Sequence, residues 1–232
     1  IISLIRYRPL VKNEIDRGTV IERLKNGINF LKANPLIFIF GVCSYMIFTF
    51  LIVEMFVLVP SYVSNYLYAG GNVFASSEAY YSIGAVFAGM AIRSIFNKFN
   101  TVFGIIALMI STIAGCLLLT FTQSIGIFYS ISLLIGITNA GTRVLRITYL
   151  FQHVPNNVIG RTGSVFNSIS IIMRTVMIIT FSIPFFTDGE NVKWGYLVGA
   201  IFLSIGLIPL VINYRKLVSF TKKIINNFMI LN

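Results

Sequence analysis

The sequence predicts an all-α polytopic membrane protein, and three observations carry that expectation. The 232 residues are 56% hydrophobic and only 11% charged, whereas a soluble domain carries roughly 25% charged residues. The apolar residues fall in runs of about 20, the length a helix needs to cross a hydrocarbon core ~30 Å thick. The basic residues gather between alternate runs, as the positive-inside rule requires. Together these give six transmembrane helices with both ends cytoplasmic. Residues 1–34 read as a basic amphipathic connector, 35–214 as the six-helix bundle and 215–232 as a basic cytoplasmic tail.

The placement of charge also bears on partners. A net charge of +11 in a soluble protein would suggest nucleic acid. Here the cations flank apolar runs and form no stripe on a soluble face, so the lipid bilayer is the expected partner and nucleic acid is not. Cys43 and Cys116 lie inside apolar runs and read as buried thiols acting as small hydrophobes. The single histidine, His153, has no Cys, Asp or Glu near it in sequence, so no metal site and no cofactor are expected. The chain begins at Ile1, with no methionine and no signal-like segment, and reads as a fragment or a truncated product.

In the connector, Thr19-Val20-Ile21-Glu22 fits a capping box, in which the threonine hydroxyl and the glutamate satisfy free amides at a helix start. Val20, Ile21, Leu24, Ile28 and Leu31 then recur near helical spacing opposite Arg23, Lys25 and Lys32. Such a helix either lies along the inner membrane surface or packs on the bundle as a solvated connector. Asn34-Pro35 ends it and starts the next, because proline suits a first helical turn.

Span one covers residues 36–60. Its only charge, Glu54, lies ~28 Å from Pro35 at ~1.5 Å per residue, near the far side of the core. Two readings fit: a carboxylate at an outer vestibule, or a group carrying a proton. Residues 61–80 are rich in Tyr, Ser, Asn and Gly without a Lys or Arg and read as an outside loop, with Tyr62, Tyr66, Tyr68, Tyr80 and Tyr81 as an interfacial belt.

Span two, residues 81–95, carries Gly84-xxx-Ala88 and Ala85-xxx-Gly89, which permit close helix approach. Arg93 and Lys98 mark a cytoplasmic turn. Span three, residues 102–122, is uncharged. Span four, residues 125–149, brings Arg143 and Arg146 near the inner boundary, where long side chains can snorkel.

A polar hinge, HVPNNVIGRTG with Arg161, then leads into span five, residues 162–184. Arg174 lies ~18 Å into that span, too deep to snorkel, and a charge so placed faces protein or water rather than lipid. Asp188, Glu190 and Lys193 form a short outside loop, with Trp194 and Tyr196 at the outer interface. Span six, residues 195–213, opens with Gly195-xxx-Gly199.

These features resemble the C-terminal half of a major facilitator superfamily transporter of the bacterial efflux type. The connector GINFLKANPLIFIFG is similar to the segment before that family's seventh helix. HVPNNVIGRTGSVFNS resembles its loop between helices ten and eleven. GMAIRSIFNKFN stands where the family repeats its Asp-Arg loop motif, with the aspartate missing and Arg93 near its place. The resemblance implies secondary transport of a small solute across a bacterial inner membrane by alternating access, together with an N-terminal six-helix half or a second copy of the chain. Export is the expected direction, with uptake or a non-transporting remnant as alternatives.

On that expectation Arg174, Glu54, Asn139 and Asn167 are substrate or coupling candidates, with Thr138 beside them, and Glu54 is the candidate for proton coupling. Arg93, Arg143, Arg146 and Arg161 are candidates for a cytoplasmic gate or anchor. A structural ion pair explains Arg174 as well as a functional role does, and interhelical hydrogen bonds explain the asparagines equally well. No Ser-His-Asp grouping, carboxylate pair or phosphate-binding loop is present, so catalysis is not expected.

Overall fold

The computed structural model describes residues 19–96 and 100–220. The basic cluster Arg6, Arg8, Lys12 and Arg17, the turn lysine Lys98, and Lys222 and Lys223 of the tail lie outside the described residues. So do the side chains of Arg23 and Arg93.

All regular structure among the described residues is helical: α1 Val20–Ala33, α2 Pro35–Asn65, α3 Gly71–Phe96, α4 Thr101–Phe121, α5 Ile125–His153, α6 Ile159–Phe181 and α7 Lys193–Ile212. Short turns at Pro184–Thr187 and Gly189–Val192 join α6 to α7. Helices α2, α4, α5, α6 and the segment Gly189–Ile212 that contains α7 are long and apolar enough to cross a membrane. The chain is therefore read as an integral membrane protein. Helix α3 is the exception to the six expected spans. It has 26 residues, ample length at ~1.5 Å each, and is not among the five spans found among the described residues.

Helix α1 starts as its sequence dictates. The Thr19 amide donates to Glu22 Oε2 at 2.8 Å and the Glu22 amide donates to Thr19 Oγ1 at 3.3 Å. Its apolar edge docks on α6: Leu31 is buried, and Gly27 sits so close to the Arg161 carbonyl that a Cβ there would lie 2.8 Å from the oxygen.

Helix α2 corrects two expectations. It does not end at Pro60 but runs 31 residues to Asn65, with a wide π-type turn over Glu54–Leu58. Proline has no N–H and its ring clashes with the carbonyl four residues back. One extra residue in the turn before Pro60 accommodates it, and the Val59 amide bonds the Glu54 carbonyl five residues back. The expected outside loop over residues 61–80 shrinks to residues 66–70, because α3 begins at Gly71. The tyrosine belt divides accordingly: Tyr68 and Tyr80 are exposed, whereas Tyr62 and Tyr66 are buried. The Tyr62 hydroxyl is 2.8 Å from the Leu119 carbonyl, which caps the end of α4 from within the protein.

Packing is tightest between α3 and α5. A Cβ on Gly84 would strike the Leu133 carbonyl, and one on Gly136 would strike the Tyr81 carbonyl. Of the two small-residue motifs in α3, Gly84-xxx-Ala88 faces this contact, while Gly89 faces open space. On the other side of the bundle Gly195 lies over Leu58, Gly199 over the Phe50 ring and Gly206 against Met46. The Gly195-xxx-Gly199 motif thereby seats α7 on α2.

Two predictions follow from this contrast. Gly84→Val or Gly136→Val forces backbone apart and should destabilise by about 1–3 kcal/mol or more, read as a drop in thermal unfolding temperature in detergent. Gly89→Ala, with nothing near its Cβ, should stabilise α3 by up to ~1 kcal/mol through helix propensity. An equal response at Gly84 and Gly89 would refute the α3–α5 packing.

Candidate functional site

The polar side chains inside the bundle fall in three layers along α2, inner at its Pro35 end and outer toward Asn65. Their spacing follows the helix repeat, since residues four apart lie one above the other. In the inner layer Tyr45 stacks with Phe166 of α6 at 5.9 Å and carries the Arg146 guanidinium 3.8 Å from its ring centroid. One turn further out, Thr49 and Ser170 share a buried hydrogen bond of 2.8 Å between α2 and α6. Beyond that, Glu54 and Arg174 mark the third layer.

Arg146 was expected to snorkel to the inner surface. It is instead only 4% exposed, because α5 continues to His153 and leaves Arg146 about two turns from the helix end. Its Nη1 donates to the Ser44 carbonyl at 3.0 Å. A carbonyl oxygen in a helix keeps a second lone pair for such a donor, and the neighbouring Ser44 hydroxyl donates to the Gly41 carbonyl at 3.0 Å. The Nε of Arg146 is buried without a hydrogen-bond partner. The residue thus joins α5 to α2 through one hydrogen bond and a cation–π contact, which strengthens when desolvated.

Glu54 was weighed as a vestibule group. In the structure it is 5% exposed and begins the π-type turn. The Tyr196 hydroxyl donates to its Oε1 at 3.1 Å. Tyr196, expected at the outer interface, is wholly buried and packs edge-on against Tyr62 at 4.9 Å. The α2 helix extends 11 residues past Glu54 to Asn65, which is why distance from Pro35 alone put the carboxyl too near the end.

Arg174 lies one turn beyond Ser170 and Glu54 lies five residues beyond Thr49. Since Thr49 and Ser170 touch, both charges stand roughly 6–8 Å further out at ~1.5 Å per residue. They share a level but not a face. Glu54 turns to α7, whereas Arg174 lies 5.6 Å from the Phe48 ring centroid, partly exposed. Its Nε is buried with no hydrogen-bond partner. Helix α6 starts at Ile159 and ends at Phe181, so Arg174 sits ~10 Å from the C-terminal end of that helix and ~6 Å from its midpoint.

The other candidates are dispersed. Asn139 of α5 donates through Nδ2 to the Tyr81 hydroxyl of α3 at 2.7 Å, an interhelical bond worth roughly 0.6 kcal/mol on average in membrane proteins. Thr138 is buried and donates to the Ile135 carbonyl of its own helix. Asn167 is exposed on α6, Arg143 is exposed on α5, and Arg161 is half-buried near the start of α6 against α1. Arg93 falls in the last turn of α3. Among the described residues no group of three or more His, Cys, Asp or Glu side chains could hold a metal ion.

Sequence reasoning missed Tyr196, Tyr81, Tyr45, Thr49 and Ser170. A tyrosine near a span end reads as interfacial, and a lone hydroxyl in an apolar run bonds its own backbone, so neither pattern marks an interhelical partner.

Removing the Tyr196 hydroxyl strands a buried carboxyl. Tyr196→Phe should therefore cost about 1–3 kcal/mol, the penalty of an unsatisfied buried polar group. Glu54→Leu combined with Tyr196→Phe should recover most of it. Chemical denaturation of the purified protein measures both, and additive losses in the double variant would sink the pairing.

No protein-family model, curated protein or solved structure matches the chain.

Proposed function

We propose that the protein carries a small solute across the membrane by secondary transport. The observation that supports this most is the open face of α6. That helix is the least buried of the five apolar spans, with 28% of its apolar window inside the protein. It presents Ser164, Asn167 and Thr175 on its exposed surface, with Arg174 half-exposed beside them. Standing at i, i+3, i+10 and i+11, Ser164, Asn167, Arg174 and Thr175 fall within about 100° of one another around a helix of 3.6 residues per turn and so share one face.

The Ser164 and Thr175 hydroxyls donate to their own backbone and tolerate lipid. The Asn167 amide and the Arg174 guanidinium make no hydrogen bond or ion pair among the described residues. A charge in hydrocarbon costs several kcal/mol and ordinarily faces a cavity, water or another protein segment. A stripe of this kind suits the wall of a solute path completed by a second helical body.

In this reading Arg174 attracts an anionic or electron-rich group of the solute, Asn167 adds a hydrogen-bonding amide, and Glu54 is the single carboxyl within α2 available to exchange a proton. The six-span topology, with α3 as the sixth, belongs to the same proposal, as do the bacterial inner membrane and the pairing with an N-terminal half or a second copy. The resemblance to major facilitator transporters favours export.

Inverted membrane vesicles containing the protein test it. An imposed proton gradient should drive accumulation of a responsive solute above the level in vesicles lacking the protein, whereas an uptake carrier would respond only in right-side-out vesicles. Arg174→Ala at normal expression should lower the rate by about 10- to 100-fold, equivalent to the ~1.5–3 kcal/mol of a hydrogen bond to a charged group. Arg174→Lys should retain part of the activity. Unchanged transport in both variants removes Arg174 from the mechanism, and no solute movement in either vesicle orientation removes the transport reading.

A further inference from the structure

Helix α1 and the inner half of α6 enclose an apolar groove of about 490 Å³, within the ~300–1,000 Å³ usual for small-molecule sites. Ile28 and Leu31 line it from α1, Val165, Ile169 and Ile172 from α6, and Phe38 from α2. The one charged residue in its lining is Lys32.

The charge around the groove has a pattern. Lys25, Ile28 and Lys32 stand at positions i, i+3 and i+7 of α1 and share a face, and all three are exposed. The only acid on α1 is Glu22, which is engaged with Thr19 in the capping box. An apolar slot with a cationic rim, at the cytoplasmic end of helices that run in a bilayer, complements a molecule with a hydrocarbon tail and an anionic head.

We propose that this groove binds one acyl chain of an anionic phospholipid, with the lipid phosphate held at Lys32. Lys25, two turns back along α1, widens the positive rim. Bound in this way, the lipid fills the angle between the connector helix and α6 and ties α1 to the inner leaflet. Juxtamembrane lysines attract anionic headgroups by the same electrostatics. The inference rests on the helices lying in a membrane with α1 on its cytoplasmic side and is independent of solute transport.

Photolabelling decides it. The full chain is placed in nanodiscs with phosphatidylglycerol or phosphatidylcholine bearing a diazirine in one acyl chain, and labelled residues are identified by mass spectrometry. Phosphatidylglycerol should label peptides containing Ile28 and Ile169 on the order of fivefold more than phosphatidylcholine, the factor one lysine near an anionic surface supplies. Lys32→Gln should bring the ratio close to one. Ile169→Trp, which fills the groove, should remove labelling there, and Ile28→Trp does the same from the α1 side if the first variant fails to fold. Equal labelling by both lipids that survives the tryptophan variants would identify ordinary boundary lipid and overturn the proposal. Absence of labelling, together with a disulfide crosslink from Ile169→Cys to another protein segment, would overturn it in favour of a protein occupant. Either failure leaves the vesicle transport result untouched.

Discussion

Hydrocarbon offers no hydrogen-bond partner, so every polar group that enters a membrane must be satisfied within the protein. This constraint explains more of the structure than any single contact does. It makes the spans helical, and it governs how hydroxyls within them are used. Ser111, Thr112, Thr120, Ser132, Thr148, Thr180 and Ser204 all donate to a carbonyl four residues back on their own helix. Against that background the bond between Thr49 and Ser170 stands apart, because each hydroxyl turns from its own backbone to the neighbouring helix. It fixes the relative height of α2 and α6, and with it the level that Glu54 and Arg174 share.

How far the sequence revealed this depends on the range over which each feature is determined. The start of α1 is local: Thr19 and Glu22 are three residues apart and the capping box forms as their types require. The span centres of α4, α5, α6 and α7 are set by runs of apolar residues, and those are visible along the chain. The end of α2 is less visible, since proline normally signals a boundary and here is absorbed by a π-type turn. The first ten residues of α3 look like a loop because Ser76, Ser77 and Glu78 break the apolar pattern, yet Ser77 is buried and donates to the Phe74 carbonyl of its own helix.

The candidate site was less legible than the fold, for a related reason. Arg146 and Ser44 are 102 residues apart, and Tyr196 and Glu54 are 142 apart. Whether an arginine near a helix end snorkels outward or turns inward depends on the neighbouring helix. The Tyr45 ring and the Ser44 carbonyl supply the inward partner here, and nothing in the segment around Arg146 announces them. Arg174 is the opposite case. Its depth in an apolar run was evident from sequence alone, and its want of a hydrogen-bond partner on Nε is what the surrounding helices add.

The two charges of the outer layer are held very differently. Glu54 belongs to a rigid unit, because Gly195 and Gly199 bring α7 hard against Leu58 and Phe50 on either side of the carboxyl, and Tyr196 fixes its oxygen. Arg174 rides on a helix joined to α2 chiefly through the Phe166 ring in the Gly41 notch and the single Thr49–Ser170 bond. Moving either helix against α2 displaces a ring seated on glycine backbone, Phe166 at Gly41 for α6 and Phe50 at Gly199 for α7, and on the α6 side it also breaks the Thr49–Ser170 hydrogen bond. The two charges therefore differ in their immediate partners rather than in how firmly their helices are seated: the carboxyl is closed in and bonded by Tyr196, whereas the guanidinium is partly exposed and its Nε has no hydrogen-bond partner.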